Sequence, residues 1–213
     1  MGVDVVGVEY SGYGAAPGSP SVRTAEANAL AAYEHLIAKG VLPEHVVVYG
    51  HSVGSGPACR FATSRKVGGL VLHAPITSAV KAIERTEGCC RPSLFFCCCD
   101  VFRNHELLQT VSCPSLVIHG RCDVLVPCSH GERLEQAIPE EHRWPGFFPE
   151  QSGHSTIEKS EKPAYFRCLR NFLDGAALRT SVALQHPDDT GLAAGFEGSP
   201  AGFARVPLGP EMV

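Results

Sequence analysis

The chain has 213 residues, 44% hydrophobic and 19% charged, with a formal net charge of −4. That length suits one domain plus a tail, and the apolar fraction is enough for a sizeable core. The acidic balance argues against a nucleic-acid-binding face, and no run approaches the roughly 18 consecutive apolar residues of a membrane-spanning helix.

In chain order, Ser21 is placed to cap a helix running to about Lys39, with Gly40 just past its end. Ala29, Leu30, Tyr33, Leu36 and Ile37 recur in it at helical spacing, which predicts a core-packing face. Residues 45–49 read as a buried strand, residues 68–73 as a second and residues 115–120 as a third. Residues 131–138 and 162–173 read as helices, the latter presenting Tyr165, Phe166, Leu169, Phe172 and Leu173 on one face. Strands alternating with helices predict a mostly parallel sheet with helices on its faces.

Gly50-His51-Ser52-Val53-Gly54 falls between the first strand and a helix. In that context G-x-S-x-G is the pattern of a nucleophile elbow, a sharp turn that lifts a serine hydroxyl clear of the sheet. Flanking glycines suit the crowded apex, and the Val53 N–H points where an oxyanion would form. A serine needs a histidine base oriented by a carboxylate, expected in the order Ser, acid, His. Asp123 follows the third strand and His154 lies in the polar loop 151–155, so Ser52, Asp123 and His154 are the candidate triad. Asp100 is a rival acid that follows no clear strand. Of the other histidines, His51, His73 and His119 sit at strand ends and read as structural, whereas His105, His130 and His142 read as solvated.

These segments join others into a resemblance. Glu9-Tyr10-Ser11-Gly12-Tyr13-Gly14, Gly18-Ser19-Pro20-Ser21, residues 49–54 and Leu72-His73-Ala74-Pro75-Ile76-Thr77-Ser78 open it. Val117-Ile118-His119-Gly120, Asp123, Ser129-His130-Gly131 and Gly153-His154 continue it in the same order. Together they resemble α/β-hydrolases of the serine-aminopeptidase-like group, most closely the alpha/beta-hydrolase domain-containing 17 family. The resemblance implies the α/β-hydrolase fold and Ser52 as nucleophile, Asp123 as acid and His154 as base. It also implies action on thioesters, removing S-acyl chains from palmitoylated proteins. The substrate is then an acylated protein or a small acyl ester, and neither a metal nor an organic cofactor is called for.

The chain departs from that family at its start. Residues 3–10 resemble the family's fourth strand, so the earlier strands and the His-Gly-Asn loop with its second oxyanion donor are missing, and the fold is expected to be N-terminally incomplete. Loss of one such donor typically lowers turnover by about 10²–10³. The expected organisation is a hydrolase domain over 1–174, a cysteine-rich cap-like insertion at about 79–112 and a disordered Gly/Ala/Pro-rich tail over 175–213. Cys89, Cys90, Cys97, Cys98 and Cys99 lack the C-x₂₋₄-C spacing of structural zinc sites. Beside Phe and Leu they are candidate S-acylation sites, tethering an otherwise cytoplasmic protein to a membrane surface. Two alternatives stand: a non-catalytic hydrolase-fold protein that binds an acyl chain or a partner, and a lipase, esterase or serine peptidase.

Overall fold

The computed structural model describes residues 2–79, 81 and 100–185, with side chains to 177. The cysteine cluster at 89–99, most of the expected insertion and the chain beyond 185 lie outside the described residues. The contacts divide the chain into two compact units, 2–41 and 42–185 of the described residues.

In the first unit, helix α1 spans Val22–Ala38. Ser21 caps it: the Ser21 Oγ accepts from Thr24 N–H at 3.0 Å, and Thr24 Oγ1 accepts from Ser21 N–H at 2.9 Å. Gly40 takes a positive φ of 85° just past the last turn, a conformation that glycine adopts without a steric penalty. The face expected to be core is only half-buried, and the buried residues are Ala25 and Ala32. Residues 3–10 form no continuous strand, only a β-bridge at Val6, correcting the expectation of a full strand. Val3, Val5, Val6 and Val8 are exposed, so this run lacks the burial that makes β-branched residues favour a pleated surface.

The second unit is built on a parallel sheet. Among the described residues its strands are β1 (Val47–His51), β2 (Gly69–His73) and β3 (Ser115–Ile118), in that spatial order. Tyr49 stands opposite Val71, and Val71 opposite Leu116. Residues 143–147 run alongside β3 but touch it only at isolated bridges, Ser115 with Arg143 and Ile118 with Phe147. Pro145 lies between them and has no N–H to continue a ladder.

Helix α2 (Ser55–Ser64) follows β1, the single turn α3 (Asn104–Leu107) precedes β3, and α4 (Ser129–Ala137) follows it. The turn α5 (Ile157–Ser160) leads into α6 (Lys162–Gln185). One sheet face packs Val71, Leu116 and Ile118 against Ile157, Tyr165, Leu169 and Phe172. Each fully buried side chain of this size contributes about 1.5–3 kcal/mol. The opposite face carries the fully buried Leu70, Leu72 and Val117, with α2 and α4 over it, so helices cover both faces. Helix α6 continues past the expected end at 173 and through Gly175. A glycine interior to a helix costs about 1 kcal/mol, but a Cβ there would meet the Trp144 ring at 2.3 Å. Close packing against Trp144, which itself stands edge-on to Phe172, explains the glycine and the longer helix.

Candidate active site

Ser52 is the first residue after β1 and opens a 3₁₀ turn (Ser52–Gly54) that runs into α2. Its φ is +52°, a left-handed backbone that a non-glycine residue adopts only when its surroundings hold it there. Those surroundings are tight. A Cβ on Gly50 would lie 2.6 Å from Ala58 Cβ and 2.7 Å from Gly54 O, so only glycine lets the strand turn this closely against α2. Beneath the turn the buried Ser55 Oγ accepts from the Ile76 N–H and from Asn104 Nδ2, both at 3.2 Å, tying the start of α2 to the loop after β2.

The structure brings Ser52, His154 and Asp123 into one line. Asp123 Oδ2 accepts from His154 Nδ1 at 2.7 Å, which leaves His154 Nε2 as the acceptor 2.9 Å from Ser52 Oγ. Asp123, not Asp100, is the carboxylate on His154. Its other oxygen, Oδ1, accepts from the Leu125 and Val126 N–H groups at 2.9 Å each. The loop carrying His154 is fixed by the chain leaving β3: Arg121 N–H donates to Pro149 O and Cys122 N–H to Ser152 O. A Cβ on Gly120 would stand 2.1 Å from Ser152 O, so the two loops approach this closely only because residue 120 is glycine. Val53 directly follows Ser52 and is exposed.

Four histidines thought structural or solvated turn out to surround this line. His119 is fully buried; its Nε2–H donates to Val126 O at 2.9 Å and stands 3.2 Å from Asp123 Oδ2. Its Nδ1 has no hydrogen-bond partner, and burial keeps its pKa below the ordinary imidazole value. Gly131 makes room for it, since a Cβ there would meet His119 Nδ1 at 2.6 Å. The spacing of His119 and Asp123, four residues apart across a strand exit, was the available sequence signal. His130, expected to be solvated, is buried instead: its Nδ1 accepts from Thr77 N–H at 3.1 Å, and burial lowers its pKa to about 4. His51 is exposed and donates through Nε2 to His154 O at 3.2 Å. His73 is buried with its Nδ1 2.5 Å from Tyr49 Oη, which in turn lies 3.0 Å from Tyr165 Oη. Burial, reinforced by the neighbouring His51, pushes the His73 pKa down to about 3.

Among the described residues no group of three or more His, Cys, Asp or Glu side chains is arranged to hold a metal ion. No described helix is long and apolar enough to cross a membrane.

A parallel sheet covered by helices on both faces, with a serine on a strained strand-to-helix turn, is the α/β-hydrolase fold. The monoacylglycerol lipase of Paleococcus ferrophilus shares that fold: TM-score 0.55 at 18% identity, over 79% of this chain and 82% of the lipase. The chain is 33% identical over 197 residues to alpha/beta hydrolase domain-containing protein aho-3 of Caenorhabditis elegans, covering 89% of this chain and 55% of aho-3. It is 32% identical over 159 residues to human alpha/beta hydrolase domain-containing protein 17B, covering 73% of this chain and 51% of that protein. The chain thus has the α/β-hydrolase fold, and its homologues are the alpha/beta hydrolase domain-containing 17 and aho-3 proteins. The chain spans about half the length of these relatives. No protein-family model matches it.

Proposed function

We propose that the chain is a serine hydrolase that cleaves an acyl thioester or ester, with removal of S-acyl chains from proteins as its narrowest form. The observation that carries this reading is the line from Ser52 Oγ through His154 to Asp123, at 2.9 and 2.7 Å, on a serine held at positive φ. Ser52 Oγ attacks the acyl carbonyl carbon while its proton passes to His154 Nε2. The carbon–sulfur or carbon–oxygen bond then breaks, and the leaving group takes that proton. Water, deprotonated by His154, attacks the acyl-serine and releases the carboxylic acid and free Ser52. Asp123 holds the imidazole tautomer and balances its charge, and the Val53 N–H at the head of α2 donates to the oxyanion. The thioester substrate is supported by the resemblance to depalmitoylating hydrolases, in which the same three positions match.

A second reading, a hydrolase-fold protein that binds an acyl chain without cleaving it, draws on residues 3–10, which form no continuous strand. A fluorophosphonate probe separates the two. It should label the parent chain and leave Ser52→Ala and His154→Ala unlabelled. A folded parent that stays unlabelled, or a Ser52→Ala chain labelled as strongly as the parent, would overturn the hydrolase reading.

A further inference from the structure

His51, whose ring stands 5.2 Å from the His154 ring, borders a cleft of about 290 Å³ lined also by Tyr49, His73, Glu158 and Tyr165. That volume is near the lower end of small-ligand sites, roughly 300 Å³. Two of its polar atoms are buried without a hydrogen-bond partner, Glu158 Oε2 and His73 Nε2. No ion pair joins Glu158 to a described lysine or arginine. Buried polar atoms are nearly always paired, and an unpaired carboxylate is among the most costly groups to leave dry. Such a pair of orphans marks a place where something else belongs.

The chemistry of the lining narrows the occupant. The pKa values of Tyr49 and Tyr165 are both raised, by burial first, with the negative charge of Glu158 among the further causes. The carboxylate field therefore reaches both phenols. No lysine or arginine lines the cleft, and His73 is held neutral by burial. Glu158 would repel an anion. An acyl chain would leave the carboxylate's charge unbalanced. A cation meets the charge condition: the carboxylate balances it, and aromatic faces attract it.

We propose that this cleft binds an alkylammonium group carried by the substrate. Its placement as a substrate subsite rests on the reading of Ser52 as nucleophile; the binding of the cation does not. His51 connects the two sites, since it lines the cleft, hydrogen-bonds to His154 O and places its ring 5.2 Å from the His154 ring.

The first measurement is equilibrium binding of choline to the Ser52→Ala chain, against its neutral isostere 3,3-dimethylbutan-1-ol. Choline should bind saturably and about tenfold more tightly, and Glu158→Gln should remove that difference. The isostere comparison is made on an unaltered cleft, so it holds even if Glu158→Gln folds poorly. Equal binding of the two alcohols, or no binding of either, overturns the proposal.

The second measurement is kcat/KM on the parent chain for butyrylthiocholine and for S-(3,3-dimethylbutyl) thiobutyrate. Beside it runs an S-butyryl-cysteine peptide with an adjacent lysine or an adjacent norleucine. A cationic preference in the thiocholine pair alone assigns a small-molecule ammonium, and one in the peptide pair alone assigns a lysine of an acylated protein. Hydrolysis of cationic and neutral partners at equal rates overturns the subsite. Choline binding with no hydrolysis at all keeps the cation site and overturns the role given to Ser52.

Discussion

On one side of His154 the Asp123 carboxylate has a donor for each oxygen, the Leu125 and Val126 N–H groups on Oδ1 and His154 on Oδ2. In contrast, the cleft beside His51 holds a carboxylate oxygen and an imidazole nitrogen with no partner. Of the two carboxylates, only Asp123 is built as a finished internal pair. A charge whose hydrogen bonds are all made inside the fold works through what it holds in place. A charge left unpaired is set for what is still to arrive.

The largest effect expected on the finished side is that of Asp123→Asn. The amide keeps the shape but offers Nδ2–H or a neutral oxygen to His154, so the imidazole no longer keeps its proton on Nδ1. Turnover of an activated acyl ester should fall by about 10⁴, with the far-ultraviolet circular dichroism unchanged. A fall of less than tenfold would separate Asp123 from the chemistry.

His119→Leu comes next. His119 touches no substrate; it acts through Asp123 as a positioning residue. Its Nε2–H holds the carbonyl of Val126, whose own N–H grips Asp123, and it stands 3.2 Å from Asp123 Oδ2. Leucine removes that donor and leaves a buried carbonyl bare, at about 1–3 kcal/mol of stability. A loosened Asp123 should lower kcat by roughly 10- to 100-fold. KM should stay within about twofold of the parent value, because His119 lies behind Asp123 and touches no substrate. A variant that loses stability but leaves kcat in place would give His119 a structural role only.

The finished side was the more legible in the sequence, for a physical reason. The elbow is a local object: Gly50, Ser52 and the strand before them are contiguous, and the close approach of Gly50 to Ala58 is a short-range demand. Asp123 and His154 were readable because both sit on loops leaving the sheet, in a fixed order. What escaped depends on distant partners. His130 is buried by Thr77, 53 residues away, so its own surroundings in sequence suggest solvent. The His73–Tyr49–Tyr165 chain joins Tyr49 to positions 24 and 116 residues away, and no periodicity links them. The helix end at Gly175 was misjudged for the same reason, since the compensation comes from Trp144. Residues 3–10 show the converse, a good strand composition left exposed and outside any strand.

The smallest effect should carry the opposite sign. Replacing a group from the finished side lowers stability, whereas Glu158→Gln removes an unpaired charge and keeps nearly the same shape. An uncompensated carboxylate is penalised for its lost hydration, and the neutral amide is penalised less. The variant should therefore gain about 1 kcal/mol, seen as a Tm higher by roughly 2–4 °C in the absence of any organic cation. Adding choline at many times its dissociation constant should raise the Tm of the parent, because a ligand that binds only the folded state stabilises it by mass action. The same addition should leave Glu158→Gln where it was, closing or reversing the gap between them. A Glu158→Gln chain less stable than the parent without choline would mean that the carboxylate is already paired, and the contrast between the two carboxylates would fail.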